Sequence, residues 1–339
     1  MNNNFSSEVV VSVVCLAYNH EKYLKNALDG FLIQKVSFTV EFIIADDCSS
    51  DKTVDIINEY KNKFNDNLIV IKNKSNLGFM KNFINAMNSA KGKYIAICEG
   101  DDYWIDPDKL SIQVNNMDKR PEVNLSFHSS YIKYDASERA DLLFWRRAQA
   151  DCVFNIGDVL KSSGSFMPTA SIMLRGDAYR NLDPCIRNLY ASYTTAFFTQ
   201  LIFSLQKGSL YIDRPMSVYR SMSAGSWTES VVNSPELYIL WHDKYLDAIR
   251  SYNRLTSYKY RRLFKEAIAD KHFSILKYTG VSMEYKNEYF FKNKSELEFW
   301  QIMYWYLIRY FPGVFSMLRK GRITIVEIMS KANTLIRGS

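Results

Sequence analysis

Over its first 120 residues the chain alternates short, uninterrupted apolar runs with segments of helical periodicity. The apolar runs cover residues 9–16, 40–45, 68–71 and 94–98, and the helical segments cover 21–34, 49–60 and 79–90. Strands without polar alternation, separated by helices, are typical of a parallel sheet that is covered on both faces. The sequence therefore predicts an α/β fold with a mostly parallel sheet flanked by helices.

The rest of the chain is more mixed and then becomes helical. Strands are predicted at 125–134, 170–174, 210–212 and 216–220, and a helix at 195–207. Ser49 and Ser50 are expected to cap the second helix of the first half. After residue 234 the pattern is helical, basic and aromatic. We predict one domain at 1–230 and a helical C-terminal region at 231–339.

Charge and cysteine content narrow the classes of protein to which the chain can belong. The net charge is +7, yet residues 250–339 hold 17 Lys and Arg against 7 Asp and Glu. The five cysteines form no CxxC pair, which is typical of a reduced, cytosolic protein. Neither a signal peptide nor an apolar run of spanning length is visible. We therefore expect a cytoplasmic protein, with the inner face of the plasma membrane as the alternative location.

Polar residues follow each of the first four predicted strands. Tyr18 and Asn19 follow the first strand, Asp47 the second, Asn76 the third, and Asp101 with Asp102 the fourth. Ligands of parallel α/β sheets bind beyond the carboxyl ends of the strands. Because all four strand ends carry polar signals, the pattern predicts a single site at this edge.

The stretch from Glu99 to Trp104 places three carboxylates in one short loop. Like charges this close favour a bound cation or raised pKa values, and oxygen ligands suit Mg²⁺ or Mn²⁺. Such an ion can join carboxylates to a diphosphate. The alternative is a solvated acidic loop. Since neither GxGxxG nor GxxxxGK[ST] is present, a metal is the expected means of holding phosphate.

Two further residues are candidates for contacts with a nucleoside. Asp47 can accept hydrogen bonds from the ribose or the base, and Tyr18 can stack on the base or simply cover the sheet edge. The four histidines share no spacing typical of zinc ligands. An acidic cleft is a poor surface for nucleic acid, so binding to DNA or RNA is not expected.

Four segments together resemble family 2 glycosyltransferases. They are residues 11–20, 43–53, 92–104 and 217–220. The resemblance implies a GT-A fold with a nucleotide-binding sheet, a nucleotide-diphosphate sugar donor (a UDP-sugar in particular), a Mn²⁺ or Mg²⁺ ion, and inversion at the anomeric carbon. A glycan or lipid-linked acceptor, as in the synthesis of surface polysaccharides such as O-antigen, is expected.

The resemblance also assigns roles to single residues. It implies that Asp47 binds the nucleoside and that Tyr18 lies near the base. Asp101 and Asp102 form the motif for donor and metal, with Asp102 as the expected direct ligand. Glu99 stands where the family often has the first Asp of DxD. Leu16 and Asn76 complete the donor-binding set.

Arg220 is expected to reach the diphosphate as the leaving group gains charge; the alternative is an arginine on a surface strand. Two positions depart from the family pattern. The Asp that the family uses as catalytic base is expected near Thr195, but the sequence has none there. No carboxylate occurs between Asp183 and Asp213. Met222 stands where relatives often carry a histidine. The catalytic base is left unassigned, with Asp183 or the segment 135–158 as candidates.

The tail combines aromatic and basic residues. Residues 299–311 are intensely aromatic, and several Lys and Arg surround them. A helix lying on an anionic membrane is one interpretation, and packing on the catalytic domain or in a homodimer is the other.

Absence of a QxxRW motif and of spanning helices favours the transfer of one sugar at a time. Two alternatives remain open: a non-catalytic glycosyltransferase-like protein that binds nucleotide sugar or serves as a scaffold, and a nucleotidyltransferase.

Overall fold

A computed structural model describes residues 8–134, 142–162, 165–193, 196–221 and 227–311. By its contacts the chain divides into two units, Met1–Leu237 and Tyr238–Ser339. The predicted first residue of the helix 195–207, Thr195, the departure at Met222 and the basic residues of the tail beyond 311 lie outside the described residues.

Over its described residues, the first unit begins with four strands that alternate with three helices, and six further strands and six further α-helices follow. Its strands are β1 Val11–Ala17, β2 Val40–Asp46, β3 Leu68–Lys72, β4 Tyr94–Ile97, β5 Tyr103–Trp104, β6 Leu125–Tyr134, β7 Leu142–Phe144, β8 Cys152–Phe154, β9 Met173–Arg175 and β10 Ser209–Ser221. Its helices are α1 Leu24–Leu32, α2 Thr53–Tyr60, α3 Phe79–Ser89, α4 Lys109–Asp118, α5 Ile156–Lys161, α6 Gly176–Arg180, α7 Pro184–Tyr193, α8 Ala196–Ser204 and α9 Trp227–Val232.

One sheet carries all ten strands. Its order is β3-β2-β1-β4-β9-β6-β10-β5, with β7 beside β6 and β8 beside β10. Strands β1 to β4 are parallel, as predicted, whereas β9 runs antiparallel to both β4 and β6. β10 is parallel to β6. The strands β1 to β4 therefore end at one edge of the sheet, called the carboxyl edge below.

Burial explains why the first strands lack polar alternation. All seven residues of β1 are buried. Val13 and Cys15 pack in one cluster with Leu28 and Phe31 of α1. Successive side chains of a strand point to opposite faces of the sheet. The β1 residues that alternate with Val13 and Cys15 therefore face the other side of the sheet, which must also be covered. Helix α3 packs on β1 and β2.

Three local predictions are corrected by the structure. The N-cap of α2 is Lys52, which makes no side-chain capping hydrogen bond, and not Ser49 or Ser50; the Asp51 carboxylate before it accepts a hydrogen bond from the Thr53 N–H (2.9 Å). Residues 170–174 are not one strand, because a 3₁₀ turn at Thr169–Ser171 precedes β9. The strands predicted at 210–212 and 216–220 are one strand, β10, whose register with β6 shifts between them.

The second unit is helical, as predicted. It contains α10 Pro235–Leu255, which begins before the boundary, and then α11 Arg261–Lys277, α12 Met283–Asn293 and α13 Phe299–Tyr310. Phe273, Phe290 and Trp305 are the large buried side chains of its core. Among the described helices, none is both long enough and apolar enough to span a bilayer.

A buried chain of hydrogen bonds joins three of these helices. The Tyr289 hydroxyl lies 2.6 Å from His242 Nε2 and 2.6 Å from His272 Nδ1. His272 Nε2 lies 2.6 Å from the carboxylate of Glu296. A carboxylate only accepts, so His272 Nε2 carries the proton and its Nδ1 accepts from Tyr289. Tyr289 has one proton to give, and His242 Nε2–H therefore donates to it.

Protonation of His242 is disfavoured in the folded protein. Its ring is buried, and its Nδ1 has no hydrogen-bond partner. Burial and the nearby cations of Lys271 and Arg250 lower the pKa of His242 to about 3. Burial also lowers the pKa of His272, although Glu296 opposes that shift. Both rings are thus neutral links in the helical unit near neutral pH.

Candidate functional site

The loops that follow β1 and β2 are bound to each other at the carboxyl edge. The Asn19 N–H donates to Ser49 Oγ (2.9 Å), and the Ser50 N–H donates to Asn19 Oδ1 (2.9 Å). Asn19 and Cys48 have positive φ angles of 54° and 62°, so each chain turns sharply after its strand. Tyr18 stands on this wall and is 44% exposed. Its ring is available for stacking.

Asp47 organises the loop after β3. Its carboxylate accepts hydrogen bonds from Asn73 Nδ2 (2.8 Å), the Leu77 N–H (2.8 Å) and the Gly78 N–H (2.9 Å). Asn76 bonds within the same loop, through Oδ1 to the Gly78 N–H (2.9 Å). A carboxylate offers about four acceptor positions, so most of those on Asp47 are used by the protein. Asp47 therefore holds the loop after β3 in place, and few of its acceptor positions remain for hydrogen bonds from a nucleoside.

The acidic loop is fastened to β1 through its backbone. The Gly100 N–H donates to the carbonyl oxygen of Leu16 (2.8 Å), and the Asp102 N–H donates to the carbonyl of Glu99 (3.0 Å). A Cβ at Gly100 would lie 2.7 Å from His20 Nδ1 and 2.9 Å from the Leu16 oxygen. Glycine is therefore required here by the close approach of neighbours. Leu16 takes part in the site through its backbone.

Asp102 lies beneath the loop and faces inward. It is 1% exposed, and its Oδ1 accepts a hydrogen bond from the backbone N–H of Arg220 (2.9 Å). Its Oδ2 is buried and has no hydrogen-bond partner. Burial, with the charges of Asp101 and Glu99, raises the pKa of Asp102 well above its usual range. Burial and Asp101 likewise raise the pKa of Glu99, to about 8. An added cation is the simplest way to relieve this crowding.

Arg220 is not a surface arginine. It is 8% exposed, and one guanidinium nitrogen donates to Asn26 Oδ1 (2.8 Å). The guanidinium carbon lies 5.2 Å from the ring centre of Tyr23 and 4.9 Å from that of Tyr103. A cation between two aromatic faces is stabilised by both rings. Its charge also acts on Asp102, where it opposes the rise in pKa.

The acidic loop fits a divalent cation only in part. Within the described ranges, no three His, Cys, Asp or Glu side chains come together as a metal site. Mg²⁺, however, is often bound by one or two carboxylates together with substrate phosphates and water. The unpartnered Oδ2 of Asp102 and the half-buried Asp101 beside it are suitable oxygen donors. These two residues could hold a cation that a diphosphate completes.

The structure argues against Asp183 as the base. Its carboxylate caps α7, since Oδ1 accepts from the N–H groups of Cys185 (2.8 Å) and Ile186 (3.3 Å). The preceding helix α6 begins at Gly176, whose N–H donates to Lys93 O at the amino end of β4. Asp183 thus follows an element tied to the opposite edge of the sheet.

The described carboxylates of the 135–158 segment also have structural partners. Asp151 accepts a hydrogen bond from the N–H of Asp213 (2.9 Å), and Asp158 closes the capping box of α5. Asp135, Glu138 and Asp141 lie outside the described residues. The catalytic base therefore has no assignment among the residues that the structure describes.

Sequence reasoning missed a buried lysine behind the acidic loop. Lys109 is fully buried, with its ammonium nitrogen 4.0 Å from the ring centre of Trp104 and donating to Gln113 Oε1 (2.6 Å). The Trp104 Nε1–H donates to the carbonyl of Ala170 (2.9 Å). Burial lowers the pKa of Lys109 to about 7. This group fixes the strand that follows Asp102, and no periodicity marked it, because a lysine in a first helical turn is usually exposed.

Comparison with known proteins agrees with this geometry. The sequence profile of Glycosyl transferase family 2 matches residues 12–181. An uncharacterised protein of Mycobacterium tuberculosis is 44% identical over 140 residues, which are 40% of each chain. The Escherichia coli protein WfaP, named a UDP-Glc:α-D-GlcNAc-diphosphoundecaprenol β-1,3-glucosyltransferase, is 36% identical over 126 residues, 37% of this chain and 48% of the relative. The matched segments thus span less than half of each of these relatives.

Among solved structures, residues 1–349 of Staphylococcus aureus TarS in complex with UDP-GlcNAc are similar. The TM-score is 0.60 at 18% identity, over 83% of this chain and 78% of that chain. At this level of identity the similarity concerns the fold. The family profile covers half of the chain, and the chain therefore belongs to glycosyltransferase family 2 and has its GT-A fold.

Proposed function

We propose that this glycosyltransferase moves a single sugar from a nucleoside-diphosphate sugar, with UDP as the expected nucleotide, to a glycan or lipid-linked acceptor. The observation that carries the proposal is the carboxyl edge, where four strand-end loops meet and Asp102 has a buried oxygen without a partner. The names of the E. coli relative and of the TarS complexes support a UDP donor. The E. coli relative, whose name gives a lipid-linked acceptor, also supports the proposal that this chain acts in the synthesis of a surface polysaccharide.

In this proposal Asp101 and Asp102 hold a Mn²⁺ or Mg²⁺ ion together with the donor diphosphate. When bound, the ion neutralises the charge that develops on the leaving diphosphate. Asp102 remains the proposed direct ligand, because its Oδ1 is held by the Arg220 N–H while its Oδ2 has no partner, and the half-buried Asp101 is the second oxygen donor. A bound cation would lower the raised pKa of Glu99 and favour its anionic form.

The remaining donor contacts follow from the loops. Tyr18 supplies a face for the base, while Asp47 and Asn76 shape the loop that lies beside the nucleoside. Arg220 holds Asp102 in place through its backbone and its charge, and its predicted contact with the diphosphate is retained as a proposal. Transfer with inversion requires a base for the acceptor hydroxyl, and that base is not assigned.

A binding experiment tests the donor site. The melting temperature of the protein is measured with UDP, GDP, dTDP and their sugars, with and without Mn²⁺. At a hundredfold excess over Kd, binding to the folded state adds about 2.7 kcal/mol of stability. We expect a Mn²⁺-dependent rise that Asp102→Asn removes and that the exposed control Glu122→Gln retains. A response to nucleotide that is independent of both Mn²⁺ and Asp102 would contradict the metal assignment.

A second candidate is a protein that binds nucleotide sugar without transferring it. It is favoured by the absence of any carboxylate between Asp183 and Asp213. The two candidates differ in turnover. Release of nucleoside diphosphate, measured with lipid-linked acceptors and with water alone, is expected for the enzyme and is absent for the non-catalytic protein.

A membrane contact, a homodimer and a cytoplasmic location are further proposals for the helical unit. Phe299, Met303 and Tyr310 form an exposed stripe along α13 at spacings of four and seven residues. Apolar and aromatic side chains beside basic residues suit an anionic lipid surface. Co-sedimentation with anionic but not neutral vesicles tests the membrane proposal, and light scattering without vesicles tests the dimer.

A further inference from the structure

A small apolar pocket lies between the beginnings of α3 and α8, below the end of β4. Its lining consists of Phe79, Phe83, Ile97, Thr169, Ile172, Ala196 and Thr199. Phe79, at the mouth, is 45% exposed, whereas Ile97 and Phe83, at the floor, are almost fully buried. The space corresponds to about one water-sized or methyl-sized group.

The topology places this pocket at the carboxyl edge of the sheet. Helix α3 follows β3, and α8 precedes β10, which is parallel to β6, so both helices begin at that edge. Ile97 is the last residue of β4, and its N–H donates to Ile172 O (3.0 Å). The pocket is therefore lined by the last residue of β4, two residues before the acidic loop begins at Glu99.

The lining offers a ligand carbon rather than hydrogen bonds. Two threonines, Thr169 and Thr199, line the pocket, yet its accessible surface is apolar, and Thr199 Oγ1 lies 2.8 Å from the Tyr190 hydroxyl. Phe79 and Phe83 stack with their ring centres 6.0 Å apart. A sugar hydroxyl entering here would lose its hydrogen bonds to water, whereas a methyl group loses none.

We infer that this pocket selects a donor sugar carrying a methyl group, either at C6 of a 6-deoxyhexose or on an acetamido substituent, over its hydroxylated counterpart. The inference rests on the proposed function, because it assumes a donor sugar beside the acidic loop. The size of the space excludes a polyprenyl chain as its occupant. The methyl group enters between Phe79 and Ala196 and contacts Ile97.

Calorimetric titration in Mn²⁺ tests the inference. The free nucleoside diphosphates UDP, GDP and dTDP identify the nucleotide, and matched sugars are then compared in that series: glucose, 6-deoxyglucose and N-acetylglucosamine in the case of UDP. One methyl-bearing donor is expected to bind about tenfold tighter than the glucose donor or more. The two arms distinguish a C6 methyl from an acetamido methyl.

Each outcome decides between the two claims. If a nucleoside diphosphate binds and the matched sugars bind equally, the pocket has no such role while the proposed function stands. If no nucleoside diphosphate binds, both are overturned.

A variant links the preference to the pocket. Ala196→Leu fills the space and is expected to lower the affinity for the methyl-bearing donor to that of the hydroxylated one. Ala191→Leu, at an exposed position of α7, is the matched control and is expected to keep the preference. A full preference in Ala196→Leu would overturn the inference.

Discussion

Lowering the pH should loosen the helical unit through His242. Folding holds the pKa of His242 at about 3, whereas an unfolded histidine titrates near pH 6.5. Because the folded pKa is depressed, protons bind preferentially to the unfolded state, and stability is lost as the pH falls below about 6.5. Each pH unit in that window costs about 1.4 kcal/mol, so His242 alone costs roughly 2 kcal/mol at about pH 5. His272 contributes in the same direction.

Urea denaturation at several pH values, followed by tryptophan fluorescence, measures this loss. The unit contains Trp241, Trp300 and Trp305, which report on its helices. In His242→Gln the amide nitrogen can still donate to the Tyr289 hydroxyl, but no group titrates. The variant should therefore lose less stability on acidification than the wild type. Equal loss in the two proteins would refute the role assigned to His242.

Three substitutions in the first unit give further predictions. Asp47→Asn replaces an anionic acceptor of three hydrogen bonds and should cost about 2–3 kcal/mol in urea unfolding, together with nucleotide affinity. Gly100→Ala, whose Cβ meets His20, should abolish the nucleotide-induced thermal shift while the unliganded protein still folds by circular dichroism; normal binding would contradict the close-packed loop. Lys109→Met removes a desolvated cation and should leave the melting temperature at neutral pH equal or higher, whereas a large fall would mean that its bond to Gln113 outweighs desolvation.

The sequence was sufficient to predict the first half of the fold because its strands are buried on both faces. Such strands show as unbroken apolar runs, and β1, β2, β3 and β4 were found to within two residues. The later strands were harder. The two-residue strand β5 has no pattern of its own and exists because β10 pairs with it. The residues at the register shift within β10 interrupt its apolar pattern, so the sequence predicted two strands where the structure has one.

The candidate site divides in the same way. Residues at strand ends could be placed from the strands, and Asp47, Asp101 and Asp102 do lie at the carboxyl edge. The roles of their side chains could not be read from spacing. The hydrogen bonds of Asp47 to the loop after β3, and the burial of Arg220 between two rings, depend on tertiary packing. Lys109 was missed because only the folded core reveals that its charge is enclosed.

Asp102 and Arg220 are joined by a hydrogen bond between residues 118 positions apart in the sequence. On the ribosome, the acidic loop therefore emerges long before the strand that holds it. A nascent chain that ends before β10 contains the four parallel strands and the three neighbouring carboxylates but lacks the Arg220 N–H that holds the Asp102 side chain. On the proposed function, the donor site is thus completed late in synthesis, and a chain truncated before β10 would have the acidic loop without this hydrogen bond.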